Sequence, residues 1–301
     1  MSITVTNLTK IYGTQTAVNN ISFSIAKGEI VGFLGPNGAG KSTTMKMITG
    51  YLEQDGGQAL VCGETVTVNG LSTKKKTGYL PEANPLYYDM YVREYLSFMA
   101  GIHHVKDSKK RVEEVIVTVG LKPEANKKIA QLSKGYKQRV GIAAALIHNP
   151  EVLILDEPTS GLDPNQIIEI REVIKQLGKS KTILFSSHIL QEVEALCERV
   201  IIINRGNIVA DSNLQELQQK SLAQQQVTVE FKESINTVVL ASLGTVTALS
   251  DNSFSITAPD ADVLKKQILQ LAIDNNLNIV SLQSSGHSLE AVFRQLTSTV
   301  Q

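Results

Sequence analysis

The sequence is poor in cysteine, carries no excess charge of either sign and has no long apolar run. Cys62 and Cys197 lie far apart and form no Cys-x-x-Cys or cysteine/histidine ligand pattern, which fits reduced thiols. Lysine plus arginine and aspartate plus glutamate number 29 each, so no global field favours nucleic acid or an anionic membrane. No segment approaches the ~18 apolar residues of a membrane span, and the start does not resemble an export signal. We expect a chain without a membrane span that does not bind nucleic acid.

Length and apolar patterning predict an α/β protein with two domains. A chain of 301 residues is long enough for one large domain and a smaller one, each with its own core. Residues 2–8 and 18–27 alternate apolar and polar side chains, as half-buried strands do. Continuous apolar runs, typical of parallel strands buried on both faces, lie at 30–34, 152–155, 182–185 and 200–203. They indicate a doubly wound sheet that binds ligands at the carboxyl ends of its strands.

Three further segments complete the predicted domain organisation. Within a first domain of residues 1–212, residues 85–150 read mostly as helices, at 92–101, 109–120 and 134–148, and predict a helical subdomain. Residues 213–226 are polar and glutamine-rich, which predicts a linker that is partly helical. Residues 227–301 follow a βαββαβα pattern, with strands at 227–231, 246–249, 254–257 and 279–282 and helices near 235–243, 262–275 and 288–297. This pattern is close to a small α+β domain of the ferredoxin-like type.

A glycine-rich segment follows the first continuous run and opens a helix, which is the context of a Walker A motif. Its glycines let backbone N–H groups surround phosphate oxygens, and the helix start adds a positive dipole end. Lys41 is placed to reach the β- and γ-phosphates of ATP, and the Ser42 hydroxyl to ligate Mg²⁺. A plain glycine-rich turn is the alternative, which the later motifs disfavour. The predicted nucleotide-binding residues are Gly35, Pro36, Asn37, Gly38, Ala39, Gly40, Lys41, Ser42 and Thr43.

Three titratable residues follow the next two continuous runs. Asp156 ends the run at 152–155 and is predicted to bind Mg²⁺ as the Walker B carboxylate. Glu157, one residue later, is the predicted general base for the attacking water. His188 follows the run at 182–185, where it suits contact with the γ-phosphate, although a lone histidine is more often structural. Together with the Walker A motif, these residues predict ATP hydrolysis.

Residues 132–139 read Leu-Ser-Lys-Gly-Tyr-Lys-Gln-Arg, and with them residues 1 to about 225 resemble the ABC ATPases. The resemblance implies a P-loop NTPase fold with a mixed sheet, an antiparallel β subdomain and a helical subdomain. It implies that Ser133 and Gly135 bind the γ-phosphate of ATP held by a second subunit, in a head-to-tail dimer that we expect to be a homodimer. Asp163 resembles the D-loop residue that joins the two sites. Tyr12 resembles the aromatic that stacks on adenine, and a core tyrosine is the alternative reading.

Two motifs depart from the usual pattern of the family. Lys134 and Tyr136 occupy the third and fifth places of the Leu-Ser-Gly-Gly-Gln signature, and Glu82 takes the place of the usual Q-loop glutamine. A carboxylate at this position can meet Mg²⁺ through water, so Glu82 is included among the predicted metal residues. Both variants resemble the branch that serves ABC-2-type exporters. Within it, residues 79–87 and 288–297 resemble ATP-binding subunits of gliding-motility-associated transporters.

The resemblance implies an ATPase subunit that powers a separate integral-membrane permease, with ATP and Mg²⁺ as cofactors. Such a subunit is expected to be cytoplasmic and to attach to the inner face of the membrane through the permease. Two alternatives remain, a soluble ABC ATPase acting on a ribosome or DNA and a nucleotide-controlled assembly scaffold. A single Walker A motif and the lack of a long coiled coil disfavour the first, and the pair Asp156 and Glu157 disfavours the second.

Tyrosines concentrate just after the predicted Q-loop. Five of the eight, namely Tyr79, Tyr87, Tyr88, Tyr91 and Tyr95, lie between residues 79 and 95. Aromatic side chains are enriched at protein interfaces, which makes the segment from Tyr87 to Phe98 a predicted docking site for the permease. The alternative is that these rings form the core of the helical subdomain.

Overall fold

A computed structural model describes residues 1–217, 225–258, 261–285 and 289–298. The chain divides into two units, Met1–Ser212 and Asn213–Gln301. Within the described ranges, no helix is both long enough and apolar enough to cross a membrane.

Alternating side chains build an antiparallel sheet in the first unit. Ile3, Val5 and Leu8 are buried on one face of its first strand. Shifts of register between residues 5 and 11 break the alternation, which explains why the pattern predicted only the first part of this strand. The sheet has the order β2-β1-β4-β5, where the strands are β1 (Ile3–Tyr12), β2 (Gln15–Ile25), β4 (Gly56–Val61) and β5 (Glu64–Thr65).

The predicted parallel sheet is present in the first unit and has six strands in the order β10-β9-β3-β8-β7-β6. The five strands from β9 to β6 pair in parallel, so their carboxyl ends share one edge. All four residues of β7 and all six of β8 are buried, as expected of parallel strands covered on both faces. The strands are β3 (Ile30–Leu34), β6 (Thr77–Leu80), β7 (Val152–Leu155), β8 (Thr182–Ser187), β9 (Arg199–Asn204) and β10 (Asn207–Asn213).

Helices connect these strands, and three of them form the predicted helical subdomain between β6 and β7. They are α3 (Val92–Ile102), α4 (Ser108–Thr118) and α5 (Lys134–Leu146), with short 3₁₀ helices at Lys122–Glu124 and Ile129–Gln131. The remaining helices of the unit are α1 (Lys41–Ile48), α2 (Leu71–Lys76), α6 (Pro164–Gly178) and α7 (Leu190–Leu196). Met45, Met47 and Ile48 of α1 share one buried cluster with residues of both sheets. This packing fixes the start of α1 at the carboxyl edge of the parallel sheet.

The second unit contains one antiparallel sheet of order β12-β13-β11-β14. Its elements are β11 (Gln225–Phe231), β12 (Thr245–Ala248), β13 (Ser253–Ala258), α8 (Ala261–Asp274), β14 (Ile279–Ser285) and α9 (Leu289–Ser298). Val227, Val229 and Phe231 of β11 share a buried cluster with Leu264 and Ile268 of α8. The element order therefore follows the predicted α+β pattern.

Two predictions for this region need correction. The helix expected near 235–243 is a 3₁₀ helix, Thr237–Leu243, and its β-branched residues favour α-helix less than straight-chain residues do. The predicted linker at 213–226 also includes the first residues of β11, because that strand begins at Gln225. Residues 214–217 are helical, and residues 218–224 lie outside the described residues.

Candidate active site

Glycine shapes the loop between β3 and α1. Gly38 and Gly40 have φ angles of +78° and +107°, which side-chain-bearing residues rarely adopt. A Cβ at Gly40 would also lie 2.5 Å from the carbonyl oxygen of Ala17. Helix α1 begins directly at Lys41, so the first N–H groups of the helix have no acceptor within it. Loop and helix start together form a cradle suited to an anion.

The side chain of Lys41 lies within this cradle and is only 6% exposed. Its Nζ donates to the carbonyl oxygens of Gly35, at 2.8 Å, and Pro36, at 3.2 Å. It also lies 3.3 Å from Oε1 of Glu157. The loop thus holds the lysine charge at the floor of the cradle, beside a carboxylate that balances it.

Asp156 directly follows β7 and has one hydrogen-bonded and one unpaired carboxylate oxygen among the described residues. Oδ1 accepts hydrogen bonds from Ser42 Oγ at 3.0 Å and from Ser186 Oγ at 2.7 Å. Oδ2 is buried and has no hydrogen-bond partner among the described residues. Burial raises the pKa of Asp156, the two serine hydrogen bonds oppose that shift, and the charges of Glu82 and Glu157 add to it. A cation at Oδ2 would favour the charged form of this carboxylate and satisfy its free oxygen.

Glu157 stands in a tight turn directly after Asp156. Its φ of +49° is unusual for a residue with a side chain, and its N–H donates to Ser186 Oγ at 2.9 Å. Oε2 lies 2.9 Å from Nδ1 of His188, while Oε1 faces Lys41. The side chain of Glu157 is 7% exposed and that of His188 is 40% exposed. The buried carboxylate therefore joins the cradle on one side to a half-exposed imidazole on the other.

A cavity of about 380 Å³ opens above the cradle. Tyr12, 49% exposed, lies at its wall, so its ring is not part of the core. The exposed Glu82, which follows β6, contributes to the same wall. The cavity brings together most of the predicted site residues, namely Tyr12, Asn37, Gly38, Gly40, Lys41, Ser42, Thr43, Glu82 and Glu157.

Three predicted site residues lie elsewhere, at the starts of two neighbouring helices. Ser133 caps α5 by accepting from Tyr136 N–H at 3.4 Å, and Asp163 caps α6 by accepting from Gln166 N–H at 3.0 Å. A Cβ at Gly135 would lie 2.7 Å from Gln166 Cδ, so the two helix starts are packed closely together. In the part of the chain that the structure describes, none of Ser133, Gly135 and Asp163 lines the cavity.

Comparisons with known proteins identify the family. The ABC transporter family matches residues 18–160. The linearmycin resistance ATP-binding protein LnrL of Bacillus subtilis (strain 168) is 37% identical over 302 residues, which cover 97% of this chain and 96% of that protein. The chain belongs to the ABC transporter ATP-binding proteins. The bacitracin transport ATP-binding protein BcrA of Bacillus licheniformis is 35% identical to this ABC protein over 312 residues. The match covers 98% of this chain and 96% of BcrA.

Solved ABC cassettes confirm the predicted fold of the first unit. The ATP-binding subunit of an ABC transporter matches 73% of this chain and 93% of its own, with a TM-score of 0.66 and 30% identity. A dimeric post-hydrolysis cassette bound to ADP and Pi matches 70% of this chain and 98% of its own, with a TM-score of 0.65 and 26% identity. Together with the sequence relatives, these cassettes show that the chain is an ATPase that powers a transporter.

The ABC fold also brings residues to the site that sequence reasoning missed. Ser186 contacts both Asp156 Oδ1 and the backbone of Glu157, and Gln15 and Ala17 line the cavity. Ser186 follows a buried apolar run two residues before His188, and a polar residue at such a strand end is a usable signal. Gln15 and Ala17 lie on β2. No sequence signal marks them, because only the reversal of the chain between Tyr12 and Gln15 brings β2 to the cavity.

Proposed function

We propose that the cavity binds ATP with its phosphates on the cradle and Mg²⁺ beside them. Lys41 and the N–H groups at the start of α1 hold the phosphate charge. Ser42 and Asp156 would hold the ion, and Glu82 would reach it through water. The free Oδ2 of Asp156, next to the Ser42 hydroxyl on Oδ1, supports this assignment. When bound, Mg²⁺ neutralises charge on the phosphate oxygens.

The observation that carries this proposal is the position of Glu157, which lines the cavity beside Lys41 and contacts His188 through its other carboxylate oxygen. Glu157 acts as general base and takes a proton from the attacking water. His188 orients the Glu157 carboxylate through the contact at 2.9 Å and faces the γ-phosphate. Lys41 stabilises the charge that develops on the transferred phosphoryl group, so catalysis rests on positioning and electrostatics.

Ser133, Gly135 and Asp163 act in this proposal on the ATP of a second copy of the chain. They stand at two helix starts, which are suited to anions, and they lie outside the cavity of their own chain. A head-to-tail pair with two-fold symmetry places each helix start over the partner's cradle. One solved relative is a dimer bound to ADP and Pi, which supports a dimeric assembly. ATP closes the pair and hydrolysis reopens it.

The transporter is proposed to be an ABC-2-type exporter with a separate integral-membrane permease. The relatives named for linearmycin resistance and bacitracin transport support an export role. The resemblance to gliding-motility-associated subunits stays a prediction. We place the chain in the cytoplasm, bound to the inner face of the membrane through the permease.

The surface of the helical subdomain supports a docking site for that permease. Tyr87, Tyr88, Tyr91 and Phe98 are between 43% and 55% exposed, and we call these four side chains the aromatic patch. Tyr95 is only 5% exposed, so this ring belongs to the core. The Tyr87 ring meets Tyr95 and Phe98 edge to face, at 6.0 and 5.8 Å between centroids. The patch is therefore an exposed apolar surface anchored on a packed ring, as expected of an interface.

The experiment places two acidic residues in the patch, as Tyr88→Asp with Tyr91→Asp. Tyr91 precedes the first residue of α3, where aspartate is a good N-cap. Lys128 and Lys137 lie over the rings of Tyr91 and Tyr88, so the new carboxylates gain nearby cations and the fold is retained. Hot-spot losses of at least about 2 kcal/mol predict that the membrane-bound fraction falls more than tenfold. Sedimentation with membranes measures this fraction, and ATP turnover checks the purified chain.

The matched control is Val117→Asp, which replaces a 65% exposed apolar side chain on α4 outside the patch. It should leave membrane binding unchanged. If the double variant is folded and still sediments with membranes, the aromatic patch is not the docking site.

A further inference from the structure

Glu192 is a buried carboxylate that the roles described so far do not use. It lies on α7 and is 1% exposed. Oε1 accepts from Thr159 Oγ1 at 2.5 Å, and Oε2 accepts from Ser187 Oγ at 2.6 Å. Among the described residues, no lysine, arginine or histidine forms an ion pair with it. A buried carboxylate held only by hydroxyl groups is costly, and its retention calls for a specific reason.

The two hydroxyl groups belong to the two segments that carry the catalytic pair. Thr159 lies two residues after Glu157, and Ser187 directly precedes His188. Since Glu157 and His188 contact each other at 2.9 Å, a closed ring of contacts runs from Glu157 through Thr159, Glu192 and Ser187 to His188. The ring leaves little freedom for either segment to move alone.

The hydrogen-bond directions within this ring are well defined. Ser187 Oγ accepts from Ile189 N–H at 3.0 Å and donates its proton to Glu192 Oε2 at 2.6 Å, which is closer than the carbonyl oxygen of Ile189 at 3.3 Å. Thr159 Oγ1 donates its proton to Oε1. Hydrogen bonds to a charged acceptor are about twice as strong as neutral ones, so a carboxylate holds both hydroxyls more firmly than an amide would.

We propose that Glu192 is a positioning residue that sets the distance between Glu157 and His188. The inference rests on the proposed roles of those two residues. Because Thr159 also lies four residues before Asp163, the same carboxylate links the His188 segment to the residues proposed to face a second copy. Movement of residues 159–163 on dimer closure is thereby passed to Glu157 and His188, while nucleotide binding to the cradle is left unaffected.

The test replaces Glu192 with leucine, which has similar bulk and accepts no hydrogen bond. Misplacement of a catalytic group by about 1 Å costs up to ~10²-fold, so kcat should fall about 10- to 100-fold. The Kd for ATP should stay within about twofold, because a group that acts only on turnover contributes no ground-state binding. Glu192→Gln keeps one acceptor and one donor and should restore most of the turnover. The control is Glu194→Leu, the same change at an exposed position of the same helix.

Thr159→Val supplies an independent measurement. It should lower kcat in the wild-type chain but add nothing in a Glu192→Leu chain, because both changes break the same link. Circular dichroism and thermal unfolding establish that each variant is folded at the assay temperature. A merely structural role would lower the folded fraction and leave turnover per folded molecule unchanged.

A folded Glu192→Leu chain with wild-type kcat overturns the inference. The inference also fails if the fold-losses in kcat of Glu192→Leu and Thr159→Val multiply in the double variant. If Glu192→Leu does not fold, a wild-type kcat in Thr159→Val overturns it instead. Glu157→Gln is measured in parallel. If Glu157→Gln is slow and Glu192→Leu is not, only the role of Glu192 fails, whereas normal turnover in Glu157→Gln removes the catalytic assignment itself.

Discussion

The predicted site residues fall into two groups that the fold treats differently. In the cradle group, Lys41, Ser42 and Glu157 line one cavity, and Lys41 forms an ion pair with Glu157. Asp156 is tied to this group by a hydrogen bond from Ser42. The signature group, Ser133, Gly135 and Asp163, is equally well ordered by helix caps but lines no part of that cavity in the described chain. We propose that these two helix starts form half of a composite anion site that a second copy of the chain completes. The contrast supports the proposal that one chain carries both halves of the site and that a second copy joins them.

Glu157→Gln should have the largest effect and tests the cradle group. Loss of the general base should slow turnover by about 10²- to 10⁴-fold. ATP affinity should be kept or raised, because the change removes a negative charge 3.3 Å from Lys41 that competes with phosphate. Steady-state hydrolysis measures the first effect and equilibrium titration with ATP the second, while size-exclusion chromatography should show an ATP-bound dimer.

The matched control for this change is Glu151→Gln, which neutralises an exposed carboxylate just before the other end of β7. It should hydrolyse ATP normally. Turnover near the wild-type rate in Glu157→Gln would remove this residue from the mechanism.

Ser133→Asp tests the signature group. Aspartate keeps the cap of α5 but repels the phosphate of a partner's ATP, so turnover should fall by about 10²-fold, similar to the loss of one transition-state donor. A mixture of Ser133→Asp chains and Lys41→Ala chains should regain activity. In a mixed dimer, one site combines the intact Lys41 of the first chain with the intact Ser133 of the second. Random pairing gives about a quarter of the wild-type rate when the two sites work independently.

Ser133→Asn is the control for the new charge, since asparagine caps a helix equally well without repelling phosphate. It should retain more activity than Ser133→Asp. If the mixture with Lys41→Ala is no more active than its two components, Ser133 does not act on the partner's nucleotide.

Tyr12→Ala should have the smallest effect. It tests whether the aromatic ring at the cavity wall contributes to ATP binding together with the cradle group. Removing an aromatic platform under a base costs about 1 to 3 kcal/mol, or roughly 5- to 150-fold in ATP affinity. Tyr12 is 49% exposed, so its removal opens no core cavity, and Tyr12→Phe should restore binding. A fluorescent ATP analogue measures both affinities. Equal affinity for Tyr12→Ala and the wild type would show that the ring does not stack on adenine.

Sequence patterns predicted the parallel sheet well because its strands are buried on both faces. The strands β3, β7, β8 and β9 each contain three or more consecutive apolar or glycine residues, and a half-exposed strand would alternate apolar with polar ones. The short strand β5 and the helix α2 escaped prediction, since two and six residues are too few for a period to appear. The 3₁₀ helix at Thr237–Leu243 has a helical pattern but too little length and helix propensity to form α-helix.

The residues of the site were predictable where a motif names them and not where only tertiary contacts do. Lys41 and Asp156 stand at fixed places after apolar runs. Glu192 and Glu194 look alike on the sequence of α7, yet one is buried under two hydroxyls and the other is exposed. Only the packing of α7 against the carboxyl ends of the strands distinguishes them, and a single sequence does not contain that information.

The ion pair between Lys41 and Glu157 sets a free-energy cost that an anion must overcome to bind in the cradle. Any anion that approaches the lysine competes with a carboxylate already held 3.3 Å away, at a site where both side chains are less than a tenth exposed. We expect chloride or a single inorganic phosphate to make too few contacts to displace it. A polyphosphate that engages several N–H groups at once does, because its contacts act together. We therefore expect the pair to make the cradle prefer polyphosphates over small anions.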